Sequence, residues 1–303
     1  MPKLISLIVC TLGRRDPLAR LLASLRQQVY PAFEVVVIDQ NEGDYLGSVL
    51  AEHHGAIDIR HVRSPRGLSR ARNVGLRNAR GAILGFPDDD CWYDTNVAAW
   101  VARAFAERRI DLLTGRTVDR AGNESVSRHR QASGLITRSN VFVSGNSNTL
   151  FVRQQVAIHV GGFDETLGVG ASTPFQSGEE TDFILRCIDK KFVAQYDSEF
   201  VVRHDQSEGA SDSQVKRART YSPGFGRLLR THRYGVGYVG ARVGRTMGRS
   251  LLCAITGDVA GARQRVAWAH GTLLGYLAPT AAREVQQQQE TGVVRDDGGV
   301  RGA

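Results

Sequence analysis

Residues 81–90 read GAILGFPDDD, a short apolar run that ends in the three consecutive carboxylates Asp88, Asp89 and Asp90. In open α/β sheets, ligands bind beyond the carboxyl ends of such strands. Hard divalent cations such as Mg²⁺ take oxygen ligands, usually one or two carboxylates together with substrate phosphates. The cluster therefore predicts a cation site, and the alternative is a solvated acidic turn that caps the next helix.

Other apolar segments along the chain have strand patterns. Residues 4–10 (LISLIVC) and 34–38 (EVVVI) are continuous apolar runs, which is typical of strands buried on both faces. Strands that alternate with helices at this spacing predict an α/β fold with a mostly parallel sheet flanked by helices. Further strands are predicted at residues 57–62, 82–86, 111–115, 146–152 and 192–202.

Periodic apolar residues indicate helices between these strands. Leu18, Leu21, Leu22 and Leu25 recur at helical spacing after Asp16, which is a suitable N-cap. Other helices are predicted at residues 68–78, after an N-cap at Asp94, and at residues 181–190.

The composition indicates a globular chain. Its 303 residues, 42% hydrophobic and 23% charged, fit one α/β domain or one domain with an appendage. The net charge of +8 favours an acidic partner such as nucleic acid, an anionic membrane surface or a phosphorylated substrate. Four widely spaced cysteines predict neither a zinc site nor a disulfide framework. We expect a cytoplasmic protein without a signal peptide or a spanning helix.

Five sequence motifs follow one another along roughly residues 4–205. They are SLIVCTLGR at residues 6–14, VVVID at 35–39, GLSRARNVGL at 67–76, FPDDD at 86–90, and GGFDE with SGEETDFILR at 161–165 and 177–186. Taken in this order, they resemble the family 2 glycosyltransferases of the GT-A fold. Each motif is weak alone, and their shared order makes the resemblance specific. The resemblance implies a Rossmann-like GT-A domain that transfers a sugar from a nucleotide-diphosphate donor to a hydroxyl with inversion, as in bacterial members of the family.

The resemblance also implies roles for polar residues at the strand ends. A divalent cation, Mg²⁺ or Mn²⁺, would act as a Lewis acid on the leaving diphosphate. Asp88 and Asp90 match the family's DxD pattern, Asp90 is the better candidate for direct contact, and His204 would complete the cation site. The implied donor-binding residues are Thr11, Asp39, Arg72, Asp88 and Asp89.

Three of these residues have structural alternatives. Asp39 would accept a hydrogen bond from a pyrimidine N3–H, which favours UDP as the nucleotide, or it heads a turn. Arg72 would contact the donor or belong to a solvated arginine face. His204 would bind the cation or diphosphate, since a neutral imidazole can serve as a metal ligand, or be structural.

Glu179 and Glu180 stand where the family usually shows Glu-Asp. By that alignment Glu180 is the general base that takes the proton of the acceptor hydroxyl, and Glu179 is the second candidate. The alternative is a capping box of the S-x-x-E kind that starts at Ser177. Acids in the first turn of a helix are also favoured by the helix dipole.

Trp92 and Tyr93 follow the carboxylates and have two interpretations. They could form an aromatic wall on the acceptor side, because aromatic faces suit the CH groups of sugars, or they could pack in the core.

The composition changes near residue 207. We predict a catalytic domain at residues 1–206, a basic amphipathic helical region at 207–280 and a disordered tail at 281–303. No nucleic-acid-binding fold is recognisable, so the helical region either lies on an anionic membrane surface or packs as an appendage. The expected partners are a nucleotide-sugar and a glycan or polyprenyl-linked acceptor, with peripheral contact at the inner face of the cell membrane.

Two other functions are alternatives to glycosyl transfer. A sugar-nucleotide pyrophosphorylase would have a glycine-rich phosphate loop after its first strand. Residues 11–15 read TLGRR at that place, which excludes this function. A catalytically inactive GT-A domain that binds glycans or acts as a scaffold is the remaining alternative.

Overall fold

The structure is a computed structural model that describes residues 2–126, 128–205 and 211–279. The strands are β1 (Ile5–Thr11), β2 (Phe33–Asp39), β3 (Ile59–Arg63), β4 (Ile83–Gly85), β5 (Cys91–Trp92), β6 (Leu112–Val118), β7 (Gly134–Leu135), β8 (Phe151–Arg153) and β9 (Ala194–His204). The helices are α1 (Arg15–Leu25), α2 (Gly47–Glu52), α3 (Leu68–Asn78), α4 (Val97–Glu107), α5 (Gln154–Val160), α6 (Glu179–Asp189), α7 (Ser211–Thr231), α8 (Val236–Ile255) and α9 (Val259–Leu277).

The strands form a single mixed sheet in the order β3-β2-β1-β4-β8-β6-β9-β5, with β7 paired to β9. Strands β1 to β4 are mutually parallel, and β6 pairs with β9 in parallel. The prediction of a mostly parallel sheet is confirmed. Strand β8 differs, because it runs antiparallel to both β4 and β6 in the middle of the sheet.

Both faces of the sheet are covered by helices. In β2, Val35 and Val37 pack into a core with the leucines of α1 and the apolar side of α4. Val36 and Ile38 point to the opposite face, where α3, α5 and α6 form a second core. Successive side chains of a strand point to opposite faces, so a continuous apolar run results when both are buried.

The carboxyl ends of the parallel strands meet at one edge of the sheet. Thr11 is the register partner of Asp39 at the ends of β1 and β2. A further parallel bridge joins Cys10 to Asp88, beyond the end of β4. The first two predicted strand ends and the acidic cluster are therefore neighbours in space.

Two predicted helix caps are wrong. The N-cap of α1 is Arg14, so that Asp16 lies inside the first turn, where the helix dipole favours a carboxylate. The N-cap of α4 is Asn96, and Asp94 instead accepts a 2.8 Å hydrogen bond from Arg203 of β9. A long-range partner has displaced the local capping interaction in the second case.

The segment predicted as a strand at residues 146–152 is a strand only at its end. A 3₁₀ turn, Ser147–Thr149, precedes β8, and the Asn146 side chain accepts a hydrogen bond from the backbone N–H of Thr149. The polar sequence of this turn places short side chains beside the acidic cluster.

The C-terminal region is helical, as predicted. Helices α7 and α9 approach each other closely at Gly226, Gly271 and Gly275, where an added Cβ would overlap the opposing helix. Among the described residues, no helix has the length and hydropathy needed to cross a membrane. The tail predicted at residues 281–303 lies outside the described residues.

Helix α7 also packs on the loop that leads into α6. The Ser177 hydroxyl donates a 2.7 Å hydrogen bond to the carbonyl of Tyr221. A Cβ at Gly224 would lie 2.7 Å from Ser177 Oγ and closer still to the Ser177 carbonyl. Farther along, His232 Nε2 lies 2.8 Å from Asp182 Oδ1 in α6. The helical region is therefore in direct contact with the start of α6.

Replacing Gly224 by alanine should destabilise this contact. The added methyl group overlaps backbone atoms of Ser177, and overpacking of this kind costs about 1–3 kcal/mol. Equilibrium urea unfolding measures the loss. The control is Gly240→Ala in α8, where an added Cβ meets nothing within 4 Å. This control should stabilise the protein by about 0.5–1 kcal/mol, because alanine loses less backbone freedom on folding than glycine. Equal effects of the two changes would contradict the close packing.

Candidate functional site

Asp88 receives contacts from two sides. Arg72 Nη2 lies 3.3 Å from Asp88 Oδ1, and the Ser147 hydroxyl donates a 3.2 Å hydrogen bond to Asp88 Oδ2. The backbone N–H of Asp88 donates to Asn148 Oδ1 at 3.3 Å. These contacts fix the end of the β4 segment against the 3₁₀ turn.

Asp89 and Asp90 share the guanidinium of Arg14, which lies 3.2 Å from Asp89 Oδ1 and also contacts Asp90 Oδ2. Burial raises the pKa of Asp89 to about 6, against the lowering effect of Arg14. Burial would also raise the pKa of Asp90, but His204 and Arg14 outweigh it and lower this pKa to about 2. Asp90 is therefore the carboxylate best suited to stay charged.

His204 lies next to Asp90. It ends β9 and pairs in register with Cys91 of β5. His204 Nε2 is 3.2 Å from Asp90 Oδ1, and the Ser125 hydroxyl is 3.4 Å from His204 Nδ1. Burial lowers the pKa of His204, but the hydrogen bond to Asp90 outweighs burial and raises it.

The donor set at this edge fits a divalent cation that arrives with its substrate. Among the described residues, no three His, Cys, Asp or Glu side chains are placed to hold a metal ion by themselves. Asp88, Asp90 and His204 nevertheless offer carboxylate oxygens and an imidazole nitrogen. Mg²⁺ sites commonly use one or two protein carboxylates and complete the shell with phosphates and water.

Arg72 is buried, with 2% of its side chain exposed. Its Nη1 lies 3.1 Å from Glu179 Oε1, while its Nη2 reaches Asp88, and its guanidinium stacks 5.2 Å from the ring centre of Phe163. The alternative of a solvated arginine face is wrong. Arg72 instead joins the acidic cluster to the start of α6.

Glu179 and Glu180 occupy different surroundings at the start of α6. Glu179 is buried and paired with Arg72. Glu180 is half-buried, and no other described residue donates a hydrogen bond to its carboxylate. Burial, together with repulsion from Glu179, raises the pKa of Glu180 to about 8. A carboxylate with a raised pKa and no fixed partner is better suited to accept a proton.

The capping box proposed for this helix is not formed. The N-cap of α6 is Gly178, which has a left-handed φ of 95° and no capping side chain. Ser177, the expected cap, uses its hydroxyl on the carbonyl of Tyr221 in α7. The glutamates are therefore not tied to Ser177, which favours the catalytic interpretation of this pair.

Asp39 is buried at the end of β2 and already has partners on both oxygens. The backbone N–H and the side-chain amide of Asn41 donate to Oδ1 at 2.8 and 2.7 Å. His61 Nε2 and Arg63 Nη1 lie 2.9 and 3.0 Å from Oδ2. Burial raises the pKa of Asp39, but these hydrogen bonds outweigh it and lower the pKa. The turn described by the alternative interpretation is present, and a contact with a nucleotide base stays a prediction. Thr11, its register partner, is also buried.

The two aromatic residues after the acidic cluster point to different places. Tyr93 is 3% exposed and packs in the core, with its ring centre 6.5 Å from that of Phe151. The core-packing interpretation therefore describes Tyr93. Trp92 is half-buried, between the guanidinium groups of Arg20 and Arg120 at 4.8 and 5.3 Å. Trp92 remains the candidate for the acceptor side.

Sequence reasoning missed four residues that contact the acidic cluster. Arg14 binds the side chains of Asp89 and Asp90, and Arg20 donates a 3.0 Å hydrogen bond to the carbonyl of Asp90. The adjacent arginines Arg14 and Arg15, shortly after the first strand, were an available signal for Arg14. The other two, Ser147 and Asn148, lie in the polar run 144–149 (SGNSNT), which indicated a turn more than a strand.

Comparison with known proteins identifies a family and several relatives. A family model described as Glycosyl transferase family 2 matches residues 6–164. The chain is 27% identical over 180 residues to glycosyltransferase AglE of Haloferax volcanii, covering 54% of the chain and 57% of that protein. It is 23% identical over 201 residues to an uncharacterized glycosyltransferase of Haemophilus influenzae, covering 64% of the chain and 65% of that protein. The matches thus span less than two thirds of these relatives.

Solved structures show the same fold. The chain is similar to the mannosyltransferase PcManGT of Pyrobaculum calidifontis in complex with GDP-Man and Mn²⁺, with a TM-score of 0.62, 16% identity, and coverage of 91% of the chain and 88% of that structure. It is also similar to residues 1–349 of S. aureus TarS in complex with UDP-GlcNAc, with a TM-score of 0.57, 15% identity, and coverage of 89% and 90%. The expected GT-A fold is confirmed.

Replacing Arg72 by methionine should strongly destabilise the protein. Loss of the guanidinium leaves Asp88 and Glu179 without their shared counter-charge, and breaking a buried ion pair costs about 3–5 kcal/mol. Arg70→Met is the matched control on the same helix, because Arg70 is 48% exposed and pairs with Glu165 at the surface. The control should cost about 0–1 kcal/mol. Urea unfolding compares the two variants, and similar losses would refute the bridging role of Arg72.

Proposed function

Because the chain belongs to glycosyl transferase family 2, we propose that it transfers a sugar from a nucleoside-diphosphate donor, with inversion, to a hydroxyl of a glycan or polyprenyl-linked acceptor. The observation that supports this most is the pairing of two unlike acidic groups across Arg72. On one side is the acidic cluster with His204, and on the other is Glu179, which contacts Arg72 and is followed by Glu180. One set suits a diphosphate-bound cation, and the other suits a hydroxyl that must lose a proton.

The donor is proposed to bind along the carboxyl edge of β1, β2 and β4. Nucleotide-sugars are present in both similar structures and Mn²⁺ in that of PcManGT, which supports a nucleotide-sugar and a divalent cation here, with UDP as the proposed nucleotide. Asp90 is proposed to contact the cation directly, with Asp88 and His204 beside it. When bound, a divalent cation would neutralise charge that develops on the leaving diphosphate. Thr11, Asp39, Arg72 and Asp89 are proposed to support the donor, and Arg72 does so through Asp88.

Glu180 is proposed to act as the general base in a single displacement. The acceptor oxygen bonds to the anomeric carbon, its proton passes to the Glu180 carboxylate, and the bond between that carbon and the diphosphate oxygen breaks. Glu179 is held by Arg72 and is proposed to position α6. This assignment accounts for the different surroundings of the two glutamates. We further propose that the enzyme works in the cytoplasm at the inner face of the cell membrane, on acceptors for cell-envelope glycans.

Turnover of nucleotide-sugars should require a divalent cation and Asp90. A panel of UDP- and GDP-sugars is assayed for hydrolysis or transfer, with Mn²⁺ and with a chelator. Calorimetry with UDP measures binding in both conditions. Asp90→Ala should lose turnover and the Mn²⁺ dependence of UDP binding but remain folded, because Asp90 is not a core residue. Absence of any metal-dependent nucleotide binding in the unmodified protein would favour an inactive scaffold.

Glu180→Gln should lower turnover by roughly 10²–10⁴-fold with donor affinity nearly unchanged, because the amide keeps the shape of the carboxylate but cannot accept the proton. A base works only when deprotonated, so turnover should rise as the pH increases through the pKa of Glu180. The variant should lack this rise.

Glu179→Gln is the control for this assignment. It should mainly affect stability, because it removes the charge that faces Arg72. Loss of turnover in Glu179→Gln with retained turnover in Glu180→Gln would reverse the assignment of the base, and retained turnover in both would place the base elsewhere.

A further inference from the structure

The turn between α8 and α9 presents a group of exposed apolar side chains. Leu251, Leu252, Ile255 and Val259 are 64%, 60%, 74% and 63% exposed. These four residues, here called the hairpin tip, lie within nine consecutive positions around the turn. Isolated exposed apolar residues are ordinary on protein surfaces, but a contiguous group indicates an interaction site.

The hairpin tip belongs to a strongly basic helical region. Residues 211–279, which form α7, α8 and α9, contain eleven Lys or Arg residues and two Asp residues, so this region carries a net charge of +9 in a chain whose total is +8. Helix α8 has three arginines and no acidic residue. Asp258, at the turn, is used as the N-cap of α9, where it accepts a hydrogen bond from the Gly261 N–H. The acid nearest the tip is thus engaged within the hairpin.

Arginines and apolar residues share one face of α8. Arg245, Arg249 and Leu252 follow at i, i+4 and i+7, so they lie along one side of the helix. Both arginines are exposed, and no described residue forms an ion pair with either of them. Along the same helix, added Cβ atoms at Gly240, Gly244 and Gly248 would meet nothing within 4 Å. This side of α8 is therefore uncovered by the described part of the chain.

The opposite side of α8 is packed, which fixes the hairpin to the enzyme. Val239 is buried with Leu229 of α7 and Tyr276 of α9. Near the tip, the Ser250 hydroxyl donates a 2.9 Å hydrogen bond to the carbonyl of Ala262. The tip is thus carried on a folded pair of helices, and α7 connects this pair to the loop before α6.

We propose that the α8–α9 hairpin is a peripheral membrane element whose tip enters the interface of an anionic bilayer, with Arg245 and Arg249 at the lipid phosphates. Apolar residues beside arginines are the combination by which amphipathic helices bind anionic membrane surfaces. The proposed contact is at the membrane surface, where such amphipathic elements lie.

A second copy of the chain fits this surface less well. In a two-fold dimer the same patch faces itself, so the arginine-rich sides of two α8 helices would oppose each other. Like charges placed together at an interface are unfavourable, whereas an anionic bilayer is complementary to them.

Vesicle co-sedimentation of the full-length protein tests the proposal. The inference deepens the proposed membrane location and does not depend on the proposed reaction. Vesicle binding is therefore measured without donor or acceptor. Vesicles of phosphatidylcholine are compared with vesicles of phosphatidylcholine and phosphatidylglycerol in equal parts. The protein should bind the anionic vesicles, and added salt should weaken binding, because screening reduces attraction between exposed charges.

Two variants separate the apolar and the basic contributions. Leu251→Ser, Leu252→Ser, Ile255→Ser and Val259→Ser, combined in one chain, should lower partitioning by roughly tenfold or more, because each apolar side chain no longer leaves water. Arg245→Gln with Arg249→Gln should lower it by roughly twenty- to thirtyfold, since each arginine near an anionic surface contributes about fivefold.

The matched controls substitute residues of the catalytic domain that have the same side-chain type and are similarly exposed. Val29 and Ile158 are 64% and 72% exposed, and Val29→Ser with Ile158→Ser should leave vesicle binding unchanged. Arg77→Gln with Arg109→Gln should reduce binding less than the change of the α8 arginines. Thermal unfolding confirms that each variant is folded.

Several results would overturn the proposal. The first is equal vesicle binding by the hairpin-tip variant and the unmodified protein. The second is an equal loss of vesicle binding when the α8 arginines and the control arginines are substituted. The third is equal binding to anionic vesicles and to phosphatidylcholine vesicles. If light scattering shows a dimer that the hairpin-tip substitutions dissociate, and the protein does not bind vesicles, then the surface contacts a second copy of the chain.

Discussion

The position of the Arg72 guanidinium between Asp88 and Glu179 is the constraint on which the candidate site depends. One buried cation holds two carboxylates that come from opposite ends of the site, the acidic cluster after β4 and the first turn of α6. Neither carboxylate has another arginine within reach among the described ion pairs. Since burial of an unpaired charge is costly, the two segments are held at a fixed separation. Glu180 is then left as the neighbour without a fixed partner, and the chemistry proposed for it follows from that difference.

The contacts of α7 bear on how the chain is divided into functional parts. Composition places a boundary near residue 206, because arginines and aromatic residues become frequent after it. In space, however, α7 touches the loop before α6 at Ser177 and holds Asp182 through His232. Leu228 of α7 joins the same core as Phe183 and Ile184 of α6. The first of the C-terminal helices is therefore bound to the catalytic body, and α8 also contacts this body, with the Arg242 guanidinium 4.9 Å from the ring centre of Phe142.

The sequence predicted those features that depend on local pattern. Apolar runs placed β1, β2 and β4, and the family motifs placed the acidic cluster and the glutamate pair. It did not predict the contacts made across the chain. Arg72 and Glu179 are 107 positions apart, and Asp94 and Arg203 are 109 apart, so no local rule could reveal either pair. The capping box and the cap at Asp94 failed for the same reason, because Ser177 and Asp94 have tertiary partners in Tyr221 and Arg203. The N-cap of α1 lies two residues before the predicted position, at Arg14. Tyr93 shows the limit of a motif, since it packs in the core while its neighbour Trp92 is half-buried beside Arg20 and Arg120.

The central, antiparallel position of β8 has a consequence for the order in which the fold can form. Strands β1 to β4 come from residues 5–85 and could pair early, but the next strand beside β4 is β8, which begins at residue 151. Until that segment is present, β4 is an open edge with unpaired backbone groups, a surface prone to association with other chains. Pairings over such long sequence separations form slowly. The N-terminal part of the sheet, which carries Asp39, therefore depends during synthesis on residues made much later, and translation past β8 is needed before that edge is protected.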